Sequence, residues 1–121
     1  MRSASVSIKV FGAYVALTGI ALLVVPNLLL SVLGFAATSE IWVRVLGAVA
    51  VVLGYYYWVC GSAEATAFFR ASVVGRVLFA ALCLELVVVM AAPWQLLIFG
   101  VVDVLGALWT IAALRKEPAA S

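Results

Sequence analysis

Four long apolar runs constrain the fold of this chain more than any other feature of its sequence. Each run is about as long as the twenty or so residues that a helix needs to cross the ~30 Å hydrocarbon core of a bilayer. Transmembrane β-strands would instead alternate in segments of about ten residues. The runs therefore predict an all-α, integral membrane four-helix bundle. We expect a single transmembrane domain over residues 1–121, with spans at 6–25, 41–60, 63–90 and 94–114.

The composition favours lipid over water as the solvent of these helices. Hydrophobic residues make up 69% of the 121 residues and charged residues 10%, whereas soluble domains are about 25% charged. The net charge of +2 comes from scattered side chains, so we expect no nucleic acid among the partners. The expected partners are membrane lipids and either further copies of the chain, in a homo-oligomer, or a larger membrane complex.

Pro26 interrupts the apolar sequence after the first span. Proline suits the first turn of a new helix, so the segment 26–34 is predicted to form a short interfacial helix. A kinked continuation of the first span is the alternative. The first run is too long for the core of a signal peptide, and we expect it to be retained. The polar tail after Leu114 is expected to fray.

Basic residues predict how the helices are oriented in the membrane. Loops that carry Lys and Arg tend to stay in the cytoplasm. Only Arg44 lies toward one side, and the other six basic residues lie on or toward the opposite side: Arg2, Lys9, Arg70, Arg76, Arg115 and Lys116. Both termini and the middle loop are therefore predicted to be cytoplasmic.

Three ionisable residues, Arg44, Glu85 and Asp103, fall inside the spans toward the outer side. Charges at such depth are costly and usually face a partner or a water-filled cavity. Asp103 lies about 13 Å from the outer end of its span, on a face that it shares with Ala107 and Thr110. We predict that Arg44 either reaches the interface or pairs with Asp103 or Glu85.

Arg76 is expected to behave differently from these three residues. It is nine positions from Glu85, so the two side chains point to opposite faces of one helix and cannot pair directly. Because Arg76 is closer to the cytoplasmic side, its side chain is expected to extend past Arg70 toward the headgroups.

Hydroxyl groups complete the predicted polar interior. The run from Tyr55 to Trp58 indicates either an interfacial aromatic belt or the rim of a small-molecule pocket. Tyr55 shares the face of Arg44, so at least one tyrosine is expected to face inward. Tyr14 and Thr18, four residues apart, can supply hydroxyls to the same interior. The predicted ligand-binding or buried polar cluster is Arg44, Glu85, Asp103, Tyr55, Tyr14 and Thr18.

Two spacings concern packing and symmetry. Glycines recur at seven residues in the first two spans, Gly12 with Gly19 and Gly47 with Gly54. Small residues let membrane helices approach closely, so these glycines predict helix packing or an oligomer interface.

The stretches 44–48 and 103–107 share the letters VLGA, which predicts two hairpins, about 1–60 and 61–121.

The order of these features resembles that of the DoxX-like group of small bacterial four-helix membrane proteins. The features in common are the break at Pro26-Asn27, Trp42 and Arg44 at the start of the second span, Gly75-Arg76, and Asp103 with Gly106. The resemblance implies the fold and a bacterial cytoplasmic (inner) membrane, and no catalytic residue carries over from it.

Three classes of function remain open. The one we favour is binding of a small lipophilic ligand, a lipid or a quinone-like molecule, in a polar pocket of the outer half of the bundle. The alternatives are a non-catalytic accessory or assembly subunit of a larger membrane complex, and a small transporter or channel that acts as an oligomer. The sequence has no histidine, no nucleophile–base pair, no phosphate loop and no CxxC motif, so we expect no enzyme, catalytic residue, metal or cofactor.

Overall fold

The computed structural model describes residues 3–116, and five α-helices follow one another along this part of the chain. They are α1 (Ser3–Val24), α2 (Pro26–Val32), α3 (Ile41–Ser62), α4 (Thr66–Met90) and α5 (Leu96–Lys116). All except α2 are long and apolar enough to cross a membrane. The prediction of an all-α chain with four such helices is confirmed. The first and last residues of each predicted span lie within three residues of those of the corresponding helix. The predicted frayed tail beyond residue 116, like Arg2, lies outside the described residues.

Local chemistry explains where the helices begin and end. Pro26 occupies the start of α2, where its missing N–H removes no helical hydrogen bond. The predicted short helix after the first span is thus present, as Pro26–Val32. Ala91 adopts a left-handed conformation (φ 57°) at the end of α4, and Pro93 follows. The backbone therefore turns sharply before α5 begins.

The chain divides into two compact units. The α1–α3 unit comprises Lys9–Val59, and the α4–α5 unit comprises Cys60–Ser121 together with Met1–Ile8. This boundary agrees with the predicted division of the chain near residue 60. The first residues of α1 depart from that prediction, because they pack with the second unit.

Glycine contacts hold α1 and α3 together in the α1–α3 unit. A Cβ atom on Gly47 would lie 2.6 Å from the carbonyl oxygen of Gly19, and one on Gly54 would lie 2.6 Å from that of Gly12. The two backbones therefore approach each other closely at both ends of the crossing. The prediction that these four glycines serve helix packing is confirmed.

In the α4–α5 unit the two helices run antiparallel and pack along their length. A Cβ atom on Gly100 would lie 3.3 Å from Cα of Ala80, so the first turns of α5 pack against the middle of α4. Small side chains continue this contact along α5, and Ala107 and Ala113 are buried. The start of α4 and the end of α5 consequently lie at the same end of the unit.

Candidate functional site

A buried arginine is the centre of a polar cluster that joins α4, α5 and the start of α1. Arg76 lies on α4 and is only 2% exposed. Its Nε donates a hydrogen bond to the carbonyl oxygen of Ser72 (3.1 Å). Its Nη2 donates to Ser72 Oγ and to Thr110 Oγ1, each at 3.0 Å. Three of the five guanidinium N–H groups thus bond to neutral oxygens of α4 and α5.

The hydroxyl network extends from Thr110 to the start of α1. Ser7 Oγ and Thr110 Oγ1 are 2.8 Å apart, and both side chains are buried. Thr110 Oγ1 also lies 3.2 Å from the carbonyl oxygen of Gly106, to which it donates. Ser7 Oγ lies 2.7 Å from the carbonyl oxygen of Ala4. The two hydroxyl groups supply two hydrogens for these three contacts, so the contacts alternate or share a hydrogen, and the lone pair of Thr110 Oγ1 accepts from Arg76.

The expectation that Arg76 reaches the headgroups is wrong. Its guanidinium does extend toward the start of α4, since it bonds to Ser72 four residues earlier. It stops in a buried site, because Ser72 and Thr110 supply oxygens before the end of the helix is reached. Hydrogen bonds to the hydroxyls of Ser72 on α4 and Thr110 on α5 replace the hydration that the charge would find at the interface.

Asp103 lies close to this cluster and is half-buried. It interacts electrostatically with Arg76 and with the buried Cys83. Among residues 3–116, however, its carboxyl oxygens form no hydrogen bond and no ion pair with another protein group. The predicted small, polar face around Asp103 is confirmed, since Ala107 and Thr110 are both buried beside it on α5.

A hydrogen bond near the ends of the helices fixes the start of α1 in the α4–α5 unit. Ser5 Oγ donates to Glu64 Oε1 at 2.9 Å, and Glu64 belongs to the loop between α3 and α4. Glu64 has a positive φ of 52°. The start of α1, this loop and the last turns of α5 therefore lie at one end of the unit.

The predicted site residues fall into both units. Arg44, Tyr14, Thr18 and Tyr55 belong to the α1–α3 unit, whereas Glu85 and Asp103 belong to the α4–α5 unit. The Arg44 guanidinium donates to the carbonyl oxygens of Leu23 and Val24, so it caps the C-terminal end of α1. The pairing of Arg44 with Asp103 stays a prediction.

Within residues 3–116, Tyr55, Glu85 and Thr18 form no hydrogen bond with the cluster around Arg76, and their role in a ligand site stays a prediction. Tyr55 is 62% exposed, and Tyr57 is the inward-facing tyrosine, with its ring 5.3 Å from that of Phe11. Glu85 is exposed on α4 rather than buried. Thr18 Oγ1 donates to the carbonyl oxygen of Tyr14, within α1 itself.

Sequence reasoning assigned no site role to Ser7, Ser72, Arg76 and the hydroxyl of Thr110. The four-residue spacing of Ser72 and Arg76 was a usable signal, because residues at that spacing share a helix face. The contact of Thr110 with Ser7 joins opposite ends of the chain, and nothing in the local sequence indicates it.

Other candidate sites are weaker. A shallow groove of about 350 Å³ is lined by Ala48, Val49, Val52, Leu53 and Tyr56. All five residues belong to α3 and none is charged, so the groove has little to orient a ligand. Cys60 and Cys83 are free thiols. Within residues 3–116, no group of three or more Cys, Asp or Glu residues is placed to hold a metal ion.

The helices define the class of the protein. Four helices of sufficient length and apolar character indicate a multi-pass membrane protein. Comparisons with family models, with curated proteins and with solved structures found no match. The resemblance to the DoxX-like group stays a prediction.

Proposed function

We propose that this protein binds a small lipophilic ligand, a lipid or a quinone-like molecule, and that Asp103 supplies the main polar contact. The observation that carries the proposal is the placement of the Asp103 carboxyl group. It lies deep in a helix long enough to span a membrane, and no described protein group bonds to it. Ionisable groups at such depth usually have a partner or mark a functional site.

The surroundings of Asp103 suit a ligand that is mostly apolar. Ligand sites are typically lined by apolar side chains with a few polar groups that fix orientation. Asp103 can accept a hydrogen bond from a ligand hydroxyl when ionised, and donate one to a carbonyl when protonated. The nearby positive charge of Arg76 is already held by Ser72 and Thr110, so it polarises the site without needing to contact the ligand.

A thermal-shift screen tests this proposal. The full chain is purified in mild detergent and heated with quinones and lipids. A ligand at 100 times its dissociation constant is expected to stabilise the folded state by about 2.7 kcal/mol. Asp103→Asn should weaken that response, and Glu85→Gln should leave it unchanged, because Glu85 is exposed and lies nine residues, about 13 Å, from Arg76 along α4.

Two results would count against ligand binding. One is that no lipophile changes the melting temperature of the wild-type chain while the chain always copurifies with the same larger complex, which favours the accessory-subunit alternative. The other is an equal loss of response in Asp103→Asn and Glu85→Gln.

We further propose that the protein lies in the inner membrane of a bacterium with both termini and the α3–α4 loop in the cytoplasm. The hydrogen bond between Ser5 and Glu64 and the contact of Ser7 with Thr110 support a common side for these three segments. The excess of Lys and Arg at this end of the helices does not depend on the buried Arg76, because other basic residues flank the same end.

Cysteine labelling in intact cells tests this orientation. In a background with Cys60→Ala and Cys83→Ala, single cysteines at positions 3, 62 and 121 should react with a membrane-impermeant maleimide only after permeabilisation. A cysteine at position 38 is expected to react from outside and serves as the positive control. Reaction at position 121 in intact cells would contradict the orientation.

A further inference from the structure

A groove with a basic opening lies at the end of the α4–α5 unit, away from Asp103. Its volume is about 370 Å³, and it is lined by Arg70, Val73, Ile111, Leu114 and Arg115. The two arginines are exposed, whereas the three aliphatic residues are partly buried. The groove thus combines cationic and apolar walls.

The antiparallel arrangement of α4 and α5 produces this polarity. Val73 follows Arg70 by one turn, about 4.5 Å deeper along α4. On α5, Ile111 precedes Arg115 by four residues, about 6 Å deeper along the helix. Because the start of α4 and the end of α5 lie at the same end, both guanidinium groups are near the opening, and Val73 and Ile111 line the inner part.

Neither guanidinium is engaged by the described protein. Within residues 3–116, Arg70 and Arg115 form no ion pair and no hydrogen bond with another protein group. Each guanidinium has five N–H donors in a planar fork that matches the oxygens of a phosphate. Two such groups beside one groove create a site for an anion that also has an apolar part.

We propose that this groove binds an anionic phospholipid. Arg70 and Arg115 hold the phosphate, and Val73, Ile111 and Leu114 contact the adjoining part of an acyl chain. Basic pockets between membrane helices recognise anionic headgroups in this way. A free phosphate ion would use only the arginines, and a zwitterionic lipid would bring its own cation to the opening.

This lipid site is separate from the ligand site proposed at Asp103. Arg115 and Asp103 are twelve residues apart on α5, which is about 18 Å along the helix axis. Substitutions at one site are therefore expected to leave binding at the other unchanged, so the two proposals can fail independently.

Native mass spectrometry of the full chain in mild detergent tests the lipid site. Phosphatidylglycerol is compared with phosphatidylcholine that has the same acyl chains. The wild-type chain should bind phosphatidylglycerol more tightly. Arg70→Gln and Arg115→Gln are each expected to weaken its binding about fivefold, since each removes a guanidinium that contacts the phosphate directly. Binding of phosphatidylcholine should be unchanged in both variants.

Lys116→Gln is the matched control, because it removes one positive charge from the same end without removing a residue that lines the groove. It should change the binding of phosphatidylglycerol less than twofold. The proposal would be overturned if the wild-type chain bound the two lipids equally, and this comparison needs no variant. So would an equal effect of Lys116→Gln and the arginine variants, or displacement of the lipid by millimolar inorganic phosphate.

Discussion

Replacing Arg76 with alanine is expected to lower the free energy of unfolding by about 2–4 kcal/mol. The substitution removes three hydrogen bonds, to the Ser72 carbonyl, Ser72 Oγ and Thr110 Oγ1. Side-chain hydrogen bonds in membrane proteins contribute about 0.6–1.7 kcal/mol each, and the truncation also leaves a cavity. Unfolding of the purified chain in mixed micelles with increasing denaturing detergent measures the change.

Arg70→Ala is the matched control for this prediction. Arg70 is exposed on the same helix, and its truncation should change the free energy of unfolding by no more than about 0.5 kcal/mol. A double-mutant cycle between Arg76→Ala and Thr110→Val should give a coupling of about 0.6–1.7 kcal/mol. Equal effects of the two arginine substitutions, or zero coupling, would show that the buried cluster does not form in the membrane.

Replacing Gly47 with alanine is expected to lower the free energy of unfolding by about 1–3 kcal/mol or more. The new Cβ atom would lie 2.6 Å from the carbonyl oxygen of Gly19 and 2.7 Å from the backbone nitrogen of Leu23. Both neighbours are backbone atoms, so no side chain can rotate away and α1 must separate from α3. The same unfolding measurement reports this loss.

Gly75→Ala is expected not to lower the free energy of unfolding. No atom lies within 4 Å of a Cβ placed on Gly75, so the substitution meets no obstacle. Alanine is more favourable than glycine inside a helix by about 0.8–1.0 kcal/mol, and Gly75→Ala should therefore be neutral or stabilising. If Gly47→Ala were as well tolerated as Gly75→Ala, the close approach of α1 and α3 would be contradicted.

The helices could be predicted from the sequence because their lengths and limits depend on local properties. Apolar length determines which segments can span a membrane, and Pro26 and Pro93 mark two of the breaks. The glycine spacing likewise predicted close packing, since seven residues correspond to two turns of one face, but it did not show that α1 and α3 are the helices that pack together.

The candidate site was only partly predictable. The sequence gives the depth of a residue in its span, but it does not show which neighbouring helix the side chain faces. Three adjacent tyrosines point about 100° apart, and the one that faces inward depends on the position of Phe11 in another helix. Arg76 is buried because Thr110 and Ser7 approach it from distant parts of the chain. The assignment of Asp103 to a ligand site stays a prediction, and it rests on depth, since a carboxylate so far inside a span has no route to the interface.

The central claim, that Asp103 marks a site for a lipophilic ligand, is tested most directly by native mass spectrometry of the chain released gently from its membrane. The Arg70→Gln/Arg115→Gln double variant is used so that lipid in the basic groove does not contribute. We expect a bound small lipophilic molecule on this variant, and its loss when Asp103→Asn is added. A chain that carries no such molecule, or one whose bound molecule is unaffected by Asp103→Asn, would contradict the claim.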